Sequence, residues 1–265
     1  MKLEVAAIGM ALAAIGALAA MPKTELKKPV KMLMIAHRGA GDLRMPEASR
    51  PAYSNAVATA CDVVKLDLQE TKDGVIVMGH DGTLKRNMGW DVRILDVTYA
   101  EILEKGRFTP KGGVVNERIV RLDEALAIVS DIPEFWIDFK HFTPAFAEKV
   151  LATFKQMGIA EGRLMVATYT KAAIAYFQQA HPNIRRVGHI SGQQGEKLYA
   201  YCKKFGLWGV NMPVRDKKTS KEAIRELKKR NLWVSLYFVQ DRATAEFYRD
   251  SDADAYVTDH VSDVR

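Results

Sequence analysis

The sequence contains few cysteines and no long basic run, and both absences exclude some classes of protein. Only two of its 265 residues are cysteine, Cys61 and Cys202, too few for a disulfide framework. The net charge is +7, but the two basic stretches, 27–31 and 217–229, are short. The second has the spacing of the solvated face of a helix, so we predict no nucleic-acid partner.

Glycine-rich nucleotide motifs and long apolar runs are absent as well. No dinucleotide fingerprint or P-loop follows any predicted strand, which argues against those cofactor sites. The apolar run Val5–Met21 is shorter than the roughly 20 residues that cross a bilayer. It contains Ala17-Leu18-Ala19, a small-x-small cleavage pattern, so residues 1–22 are predicted to be a signal peptide. The alternative is an N-terminal helix packed on the domain that follows.

From residue 32 onward, short apolar runs alternate with segments of helical periodicity. Residues 23–31 form a predicted linker, and 32–265 a single predicted domain. A run over Val75–Met78 is predicted to extend the second strand after a turn at Asp73-Gly74. Eight strands separated by helices predict an α/β fold, the closed (β/α)₈ TIM barrel, with an open doubly wound sheet as the alternative. The eight strands are centred on Ile35, Val64, Phe135, Met165, Val187, Val210, Val234 and Tyr256.

Histidines, acids and cations cluster where the first two of these strands end. His37-Arg38-Gly39 follows the first strand, Lys65 and Asp67 lie late on the second, and His80 follows its extension. Active sites of TIM barrels lie at the carboxyl ends of the strands. A phosphodiester is cleaved with positive charge on its oxygens, a base for the nucleophile and an acid for the leaving alkoxide. Two histidines supply the last two roles near neutral pH.

The motifs and their order resemble the glycerophosphodiester phosphodiesterase family. That family opens on His-Arg-Gly and follows with Pro-Glu-Asn-Thr, Glu-x-Asp, Thr-Lys-Asp-Gly and His-Asp. This chain has the matching segments at His37-Arg38-Gly39, Pro46-Glu47, Thr71–Gly74 and His80-Asp81, and the resemblance extends from residue 33 to the C-terminus. It departs at one position, because Lys65-Leu66-Asp67 stands where the family has Glu-x-Asp.

The resemblance implies a role for eight residues, and the charge of Lys65, where the chain departs from the family, suggests one for a ninth. His37 and His80 are the predicted acid-base pair, and sequence does not assign which is which. The predicted substrate-binding residues are Arg38, Lys65, Lys140 and Tyr237. The predicted metal ligands are Glu47, Asp67 and Asp138.

Six other polar residues are predicted to have no part in the chemistry. Asp81, Arg86 and Asp123 are interpreted as scaffold, although they lie in or near the motifs. No motif surrounds three further histidines, which are interpreted as ordinary polar residues. These are His141, His181 and His189.

Lys65 makes the expected cofactor, a divalent calcium or magnesium ion, doubtful. Hard cations need several carboxylate oxygens, and here one ligand has reversed its charge while another, Asp138, is shorter than glutamate. Three interpretations remain open. Lys65 replaces the metal, or the chain has lost activity and kept a phosphoester pocket, or Lys65 turns away and the three carboxylates hold a weaker ion.

The function predicted from these observations is hydrolysis of glycerophosphodiesters to an alcohol and glycerol phosphate. Alternatives are a catalytically silent phosphoester-binding homologue and a phosphodiester lyase related to sphingomyelinase D. The partner is a small-molecule phosphodiester, with no stable membrane span after signal removal. Export predicts a periplasmic or secreted location. Nothing in the sequence specifies an oligomeric state.

Overall fold

The computed structural model describes residues 32–40, 45–109, 116–190, 195–214 and 220–264. The predicted signal peptide and linker, residues 1–31, lie outside these ranges, so both stay predictions. Within the described residues, no helix combines the length and apolarity that crossing a membrane needs.

Eight parallel strands of the described chain close into a barrel. The first strand pairs with both the last and the second, which makes the sheet continuous. This confirms the predicted (β/α)₈ barrel, and the alternative of an open sheet is wrong. The strands are β1 Leu33–Ala36, β2 Val63–Glu70, β4 Glu134–Phe139, β5 Leu164–Thr168, β6 Arg185–His189, β7 Gly209–Pro213, β8 Trp233–Tyr237 and β9 Ala255–Thr258.

The remaining strand, β3 (Ile76–Met78), corrects the prediction that this segment extends the second strand. It runs antiparallel to β2, with Leu68 opposite Met78. Gly74 at the turn has φ of 78°, a left-handed conformation that favours glycine. The turn therefore reverses the chain completely, and β3 forms a hairpin with the end of β2.

Helices connect successive strands of the barrel. Ser49 accepts a hydrogen bond from the backbone N–H of Ala52 and so caps α1, and Thr98 caps α3 in the same way. The longest helix, α5, begins with a proline, which suits a first helical position. The helices are α1 Arg50–Ala58, α2 Lys85–Met88, α3 Tyr99–Lys105, α4 Leu122–Val129, α5 Pro144–Gln156, α6 Lys171–Ala180, α7 Gly195–Lys204, α8 Lys221–Lys229, α9 Arg242–Tyr248 and α10 Val261–Val264.

Apolar side chains pack on both faces of the barrel strands. The outer layer, between strands and helices, is the larger core. A second cluster fills the barrel interior and includes Trp136, Met165 and Trp233. Because both faces of a parallel strand are buried, polar side chains on the inner face are exceptions that point to a site.

Candidate active site

Side-chain alternation along the strands places the predicted residues on the inner face of the barrel. Ile35 and Val63 belong to the interior cluster, so His37, Lys65 and Asp67, two or four residues further along, also face inward. Asp138 and Lys140 follow Trp136 in the same way. Asp67 lies directly opposite Asp138 in the β2–β4 ladder. The residues therefore meet at the carboxyl end of the barrel.

Two lysines and two aspartates form the centre of the site. The Lys65 ammonium donates to Asp67 Oδ1 and lies 2.8 Å from Asp138 Oδ2. Lys140 Nζ contacts the same two oxygens, at 2.7 Å and 2.8 Å. Lys65, Asp67 and Asp138 are each at most 5% exposed. The charges balance within this buried square.

Two members of the square, Lys65 and Asp67, are held in their ionised forms by the charges around them. Burial alone would lower the pKa of Lys65, but Asp138 and Asp67 outweigh it and raise that pKa above its ordinary value. Burial would raise the pKa of Asp67, but the positive charges of Lys65 and Lys140 hold it well below its usual range. At neutral pH both Lys65 and Asp67 are therefore charged.

The donor set does not fit the divalent cation that the resemblance implies. Such a cation needs several carboxylate oxygens free to approach it, and here the Lys65 ammonium lies between the two aspartates. The third predicted ligand, Glu47, contacts Arg38 and Arg86 through its two oxygens. Among the described residues, no group of three acidic, histidine or cysteine side chains is arranged to hold a metal ion.

Arg38 joins Glu47 to the central square. Its Nη1 donates to Glu47 Oε2 at 2.6 Å, and its Nε lies 3.7 Å from Asp67 Oδ2. Arg38 has φ of 53° and Gly39 φ of 80°. A Cβ at Gly39 would lie 2.9 Å from the Tyr53 ring, so the His-Arg-Gly turn requires glycine there.

Each predicted catalytic histidine is paired with a carboxylate through Nδ1. His37 Nδ1 lies 2.7 Å from Asp259 Oδ1, and His80 Nδ1 lies 2.7 Å from Asp81 Oδ1. In the neutral imidazole, a proton on Nδ1 leaves Nε2 as the free acceptor. Both rings therefore have Nε2 available for proton transfer, as an acid or a base requires.

The two histidines differ in their surroundings. His37 is 5% exposed, whereas the His80 side chain is 36% exposed. Burial lowers the pKa of His37, and the nearby Lys65 charge adds to this while Asp259 opposes it. Burial and the Lys140 charge lower the pKa of His80, against the effect of Asp81. Both histidines are accordingly neutral at physiological pH.

Aromatic rings form one wall of the site. The Phe238 ring lies 4.6 Å from the His37 ring and 5.4 Å from that of Tyr237, between centroids. Tyr237, predicted to bind substrate, ends β8 and hydrogen-bonds through its side chain to Tyr169. Tyr169 is 63% exposed and Phe238 38%, so this wall faces solvent.

The site contains residues that the sequence interpretation missed. Asp259, which directly follows the last barrel strand, orients His37, and its other oxygen accepts from Gln240 at 2.5 Å. Asp81 and Arg86, interpreted as scaffold, link His80 to Glu47 by ion pairs. Strand-end position signalled Asp259, but Gln240 carried no signal in sequence.

His189, predicted to be an ordinary polar residue, lies at the end of β6. It follows the interior residue Val187 by two, so alternation directs its ring into the barrel. This parity was visible in the sequence. The other two histidines and Asp123 lie apart from the site: His141 stacks on Phe146, His181 pairs with Glu148 and Asp123 with Arg121.

Comparison with known proteins yields one family and several related proteins. The model of the "Glycerophosphoryl diester phosphodiesterase family" matches residues 37–263. A glycerophosphodiester phosphodiesterase of Bacillus subtilis is 25% identical over 263 residues, covering 92% of this chain and 88% of the relative. Another, of Caldanaerobacter subterraneus, is 28% identical over 164 residues, covering 59% of this chain and 65% of the relative.

Solved structures share the fold. A phosphodiesterase from Oleispira antarctica, in complex with its product sn-glycerol-3-phosphate, matches with a TM-score of 0.75 and 20% identity, covering 88% of this chain and 94% of that one. A glycerophosphodiester phosphodiesterase from Thermotoga maritima gives a TM-score of 0.71 and 22% identity, covering 87% and 96%. At these identities the likeness establishes the barrel fold.

Proposed function

Because the chain belongs to the glycerophosphoryl diester phosphodiesterase family, and so is a phosphoric diester hydrolase, we propose that it cleaves glycerophosphodiesters with a lysine in place of the divalent cation. The products are an alcohol and glycerol phosphate. The observation that carries the proposal is the placement of the Lys65 ammonium between Asp67 and Asp138.

The charge of the square supports this replacement. In the family pattern, three carboxylates and one divalent cation have a summed charge of minus one. Lys65, Asp67 and Asp138 also sum to minus one. A phosphodiester that enters the site therefore meets the same local charge, although the positive charge comes from an ammonium group rather than from a metal ion.

Hydrogen-bond donors for the phosphate remain after the internal ion pairs are formed. A lysine ammonium has three N–H donors, and Lys65 and Lys140 each use two of them on Asp67 and Asp138. Each lysine keeps one donor. Arg38 uses one guanidinium N–H on Glu47 and retains others. Together these stabilise negative charge on the non-bridging oxygens as the reaction proceeds.

His37 and His80 carry the protons in the proposed reaction. One imidazole accepts a proton from the attacking water through Nε2, as a new P–O bond forms. The other takes up a proton on Nε2 once the phosphodiester anion lies beside it, and gives that proton to the leaving alkoxide as the old P–O bond breaks. Asp259 and Asp81 orient the rings and stabilise the imidazolium in each case.

The test is turnover of glycerophosphocholine and glycerophosphoinositol by the purified chain, followed by phosphorus NMR in chelator, calcium or magnesium. Turnover to glycerol phosphate that is unchanged by chelator is the expected result, and His37→Ala controls for contaminating enzymes. A cyclic phosphate product would establish the lyase alternative. Absence of turnover in every condition would establish the silent homologue, and loss on chelation would show a metal-dependent enzyme.

The second proposal concerns location. We propose that residues 1–22 direct export and are removed, which places the mature enzyme in the periplasm or outside the cell. The apolar run ending in Ala17-Leu18-Ala19 supports this. Its test is the N-terminus of the protein isolated from its host.

A further inference from the structure

His189 is a half-buried histidine on the wall of the site, and it has no part in the proposed reaction. Its ring lies 5.7 Å from that of Trp136, 6.2 Å from that of Tyr237 and 4.3 Å from that of Tyr169, with which it stacks at 12°. Through Tyr237 and Phe238, this aromatic wall continues to His37. His189 thus lies on the same inner surface as the proposed acid-base pair.

The hydrogen bonds of His189 fix its tautomer. Asn211 Oδ1 accepts from the Ser235 hydroxyl at 2.8 Å, which turns the Asn211 amide nitrogen toward His189 Nδ1 at 3.2 Å. Nδ1 is therefore the acceptor, and Nε2 carries the proton. Asn211 and Ser235 are almost fully buried, so this orientation is held by the barrel itself.

The proton on Nε2 is a donor without a partner. Nε2 is buried and has no hydrogen bond to any described residue. The charges of Asp138, Lys65 and Lys140 act on the His189 ring, so the ring lies close to the central square of the site. Burial also lowers the pKa of His189 to about 4, which keeps the ring neutral at pH 7. A buried donor of this kind costs free energy until an acceptor approaches it.

We propose that His189 Nε2 donates to a hydroxyl group of the substrate, on a subsite built with Tyr169 and Tyr237 that selects hydroxylated alcohols next to the phosphate. A neutral donor suits a hydroxyl oxygen, while Lys65, Lys140 and Arg38 serve the charged phosphate. The aromatic faces pack against the C–H groups of the same alcohol, and the tyrosine hydroxyls lie beside it.

This inference rests on the proposed phosphodiesterase function and adds a specificity residue to it. Both halves of a glycerophosphodiester carry hydroxyl groups when the leaving alcohol is a polyol. The hydroxyl that His189 binds therefore belongs either to the glycerol half or to the leaving half. Ligands that carry hydroxyl groups in only one of the two halves distinguish these two sources.

The experiment combines a protein change with a substrate change. His189→Phe keeps an aromatic ring against Trp136 and Tyr169 but removes the donor, and His189→Gln restores an N–H near the same place. His189→Phe should lower kcat/KM for glycerophosphoinositol, which carries hydroxyls in both halves, roughly 10- to 100-fold, the effect of leaving one hydroxyl unbonded. Bis(p-nitrophenyl) phosphate, which has no alcohol hydroxyl, should be cleaved within about twofold of wild type. His189→Gln should recover most of the loss.

Binding of sn-glycerol 3-phosphate, measured by calorimetry, distinguishes the two halves and does not need turnover. Weaker binding by His189→Phe places the hydroxyl in the glycerol half. Unchanged binding, with a loss of kcat/KM confined to glycerophosphoinositol, places it in the leaving half. Failure of the phosphodiesterase proposal would appear separately, as absent turnover by the wild type.

His141→Phe is the matched control, because His141 also stacks on an aromatic ring, Phe146, but lies outside the site, with its Nε2 3.7 Å from Glu70 Oε2. It should leave both substrates unaffected. Equal losses on both substrates in His189→Phe, or no loss of turnover or binding with any ligand, would overturn the proposal. If His189→Phe does not fold, the wild type decides: it must prefer glycerophosphoinositol over at least one of two analogues, propyl phosphoinositol and glycerophosphocyclohexanol, each of which lacks the hydroxyls of one half.

Discussion

Replacing Lys65 with glutamate tests whether the lysine occupies the position of a metal ion. Lys65→Glu restores the Glu-x-Asp pattern and converts the centre of the site into three carboxylates. Lys140 is then the one cation within the square, because it contacts both Asp67 and Asp138. Without a divalent ion, the variant buries uncompensated negative charge.

The cost of that charge follows from the burial of the square. Removing one partner of a buried ion pair costs about 3–5 kcal/mol of unfolding free energy. Lys140 keeps its contacts with both aspartates, so we expect the lower end, about 3 kcal/mol. In a protein of this size 1 kcal/mol corresponds to a Tm change of about 2–4 °C. The metal-free Lys65→Glu variant should therefore melt roughly 6–12 °C below wild type.

Calcium should reverse this loss in the variant and leave the wild type unaffected. An ion present at 100 times its Kd stabilises the folded state by about 2.7 kcal/mol, nearly the whole expected deficit. Asp138 is one methylene shorter than the family's glutamate, so the restored affinity should be modest. Calcium dependence of turnover should appear in the variant together with the stability effect.

The assay is thermal unfolding in chelator and in increasing calcium, with calorimetric calcium binding and turnover on the same samples. Lys65→Met is the matched control, since it removes the same ammonium without adding a ligand; it should be destabilised but not rescued. Lys85→Glu changes the same residue type in the exposed pair with Asp91 and should alter Tm little. Tight calcium binding by the wild type, with activity lost in chelator, would refute the reasoning.

Further predictions concern the histidines and the chain start. His37→Ala and His80→Ala should each lower kcat by about 10²–10⁴-fold while circular dichroism shows an intact fold; near-normal kcat would remove that residue from the mechanism. Asp259→Asn should shift one limb of the pH–rate profile to lower pH, since the carboxylate raises the pKa of His37: the acidic limb if His37 is the base, the basic limb if it is the acid; two unmoved limbs would count against positioning. His189 should destabilise the fold as pH falls from 6.5 toward its folded pKa of about 4, because the unfolded chain takes up the proton first. The loss of unfolding free energy, measured by urea titration, should approach about 3 kcal/mol. An equal loss in His189→Phe would contradict this prediction. Mass spectrometry of the protein from its host should find a mature N-terminus near Met21, and an intact chain in a cytoplasmic fraction would exclude export.

The barrel was predictable because its sequence pattern is periodic. Short apolar runs separated by helical segments fix the number and direction of the strands, and alternation within each run fixes which side chains face inward. The position of β3 was not predictable at this level. Its apolar pattern suits an extension and a hairpin equally, and the difference is made by the backbone at Gly74.

The site was predictable only where a residue carried its own motif. His37, His80, Asp67 and Asp138 stand in recognisable patterns at strand ends, and the structure brings all four to one end of the barrel. Gln240 became visible only through its bond to Asp259, 19 residues away. Pairings of this kind depend on three-dimensional distance, which no local sequence window contains.

The β2–β4 register explains how a lysine can serve at this position. Lys65 lies opposite Trp136, and the facing pair Asp67 and Asp138 lies two residues further along the two strands, toward their carboxyl ends. A lysine side chain is long enough to span these two residues, so the Lys65 ammonium reaches both carboxylates from the amino-terminal side of the pair. We expect a glutamate at position 138, longer by one methylene, to extend into the space that the ammonium occupies. We therefore predict that the lysine at position 65 and the shorter acid at position 138 depend on each other. Asp138→Glu alone should crowd the square and lower stability. Lys65→Glu combined with Asp138→Glu should bind calcium more tightly than Lys65→Glu alone. Equal calcium affinity in the single and double variants, measured by calorimetry, would show that the two positions act independently.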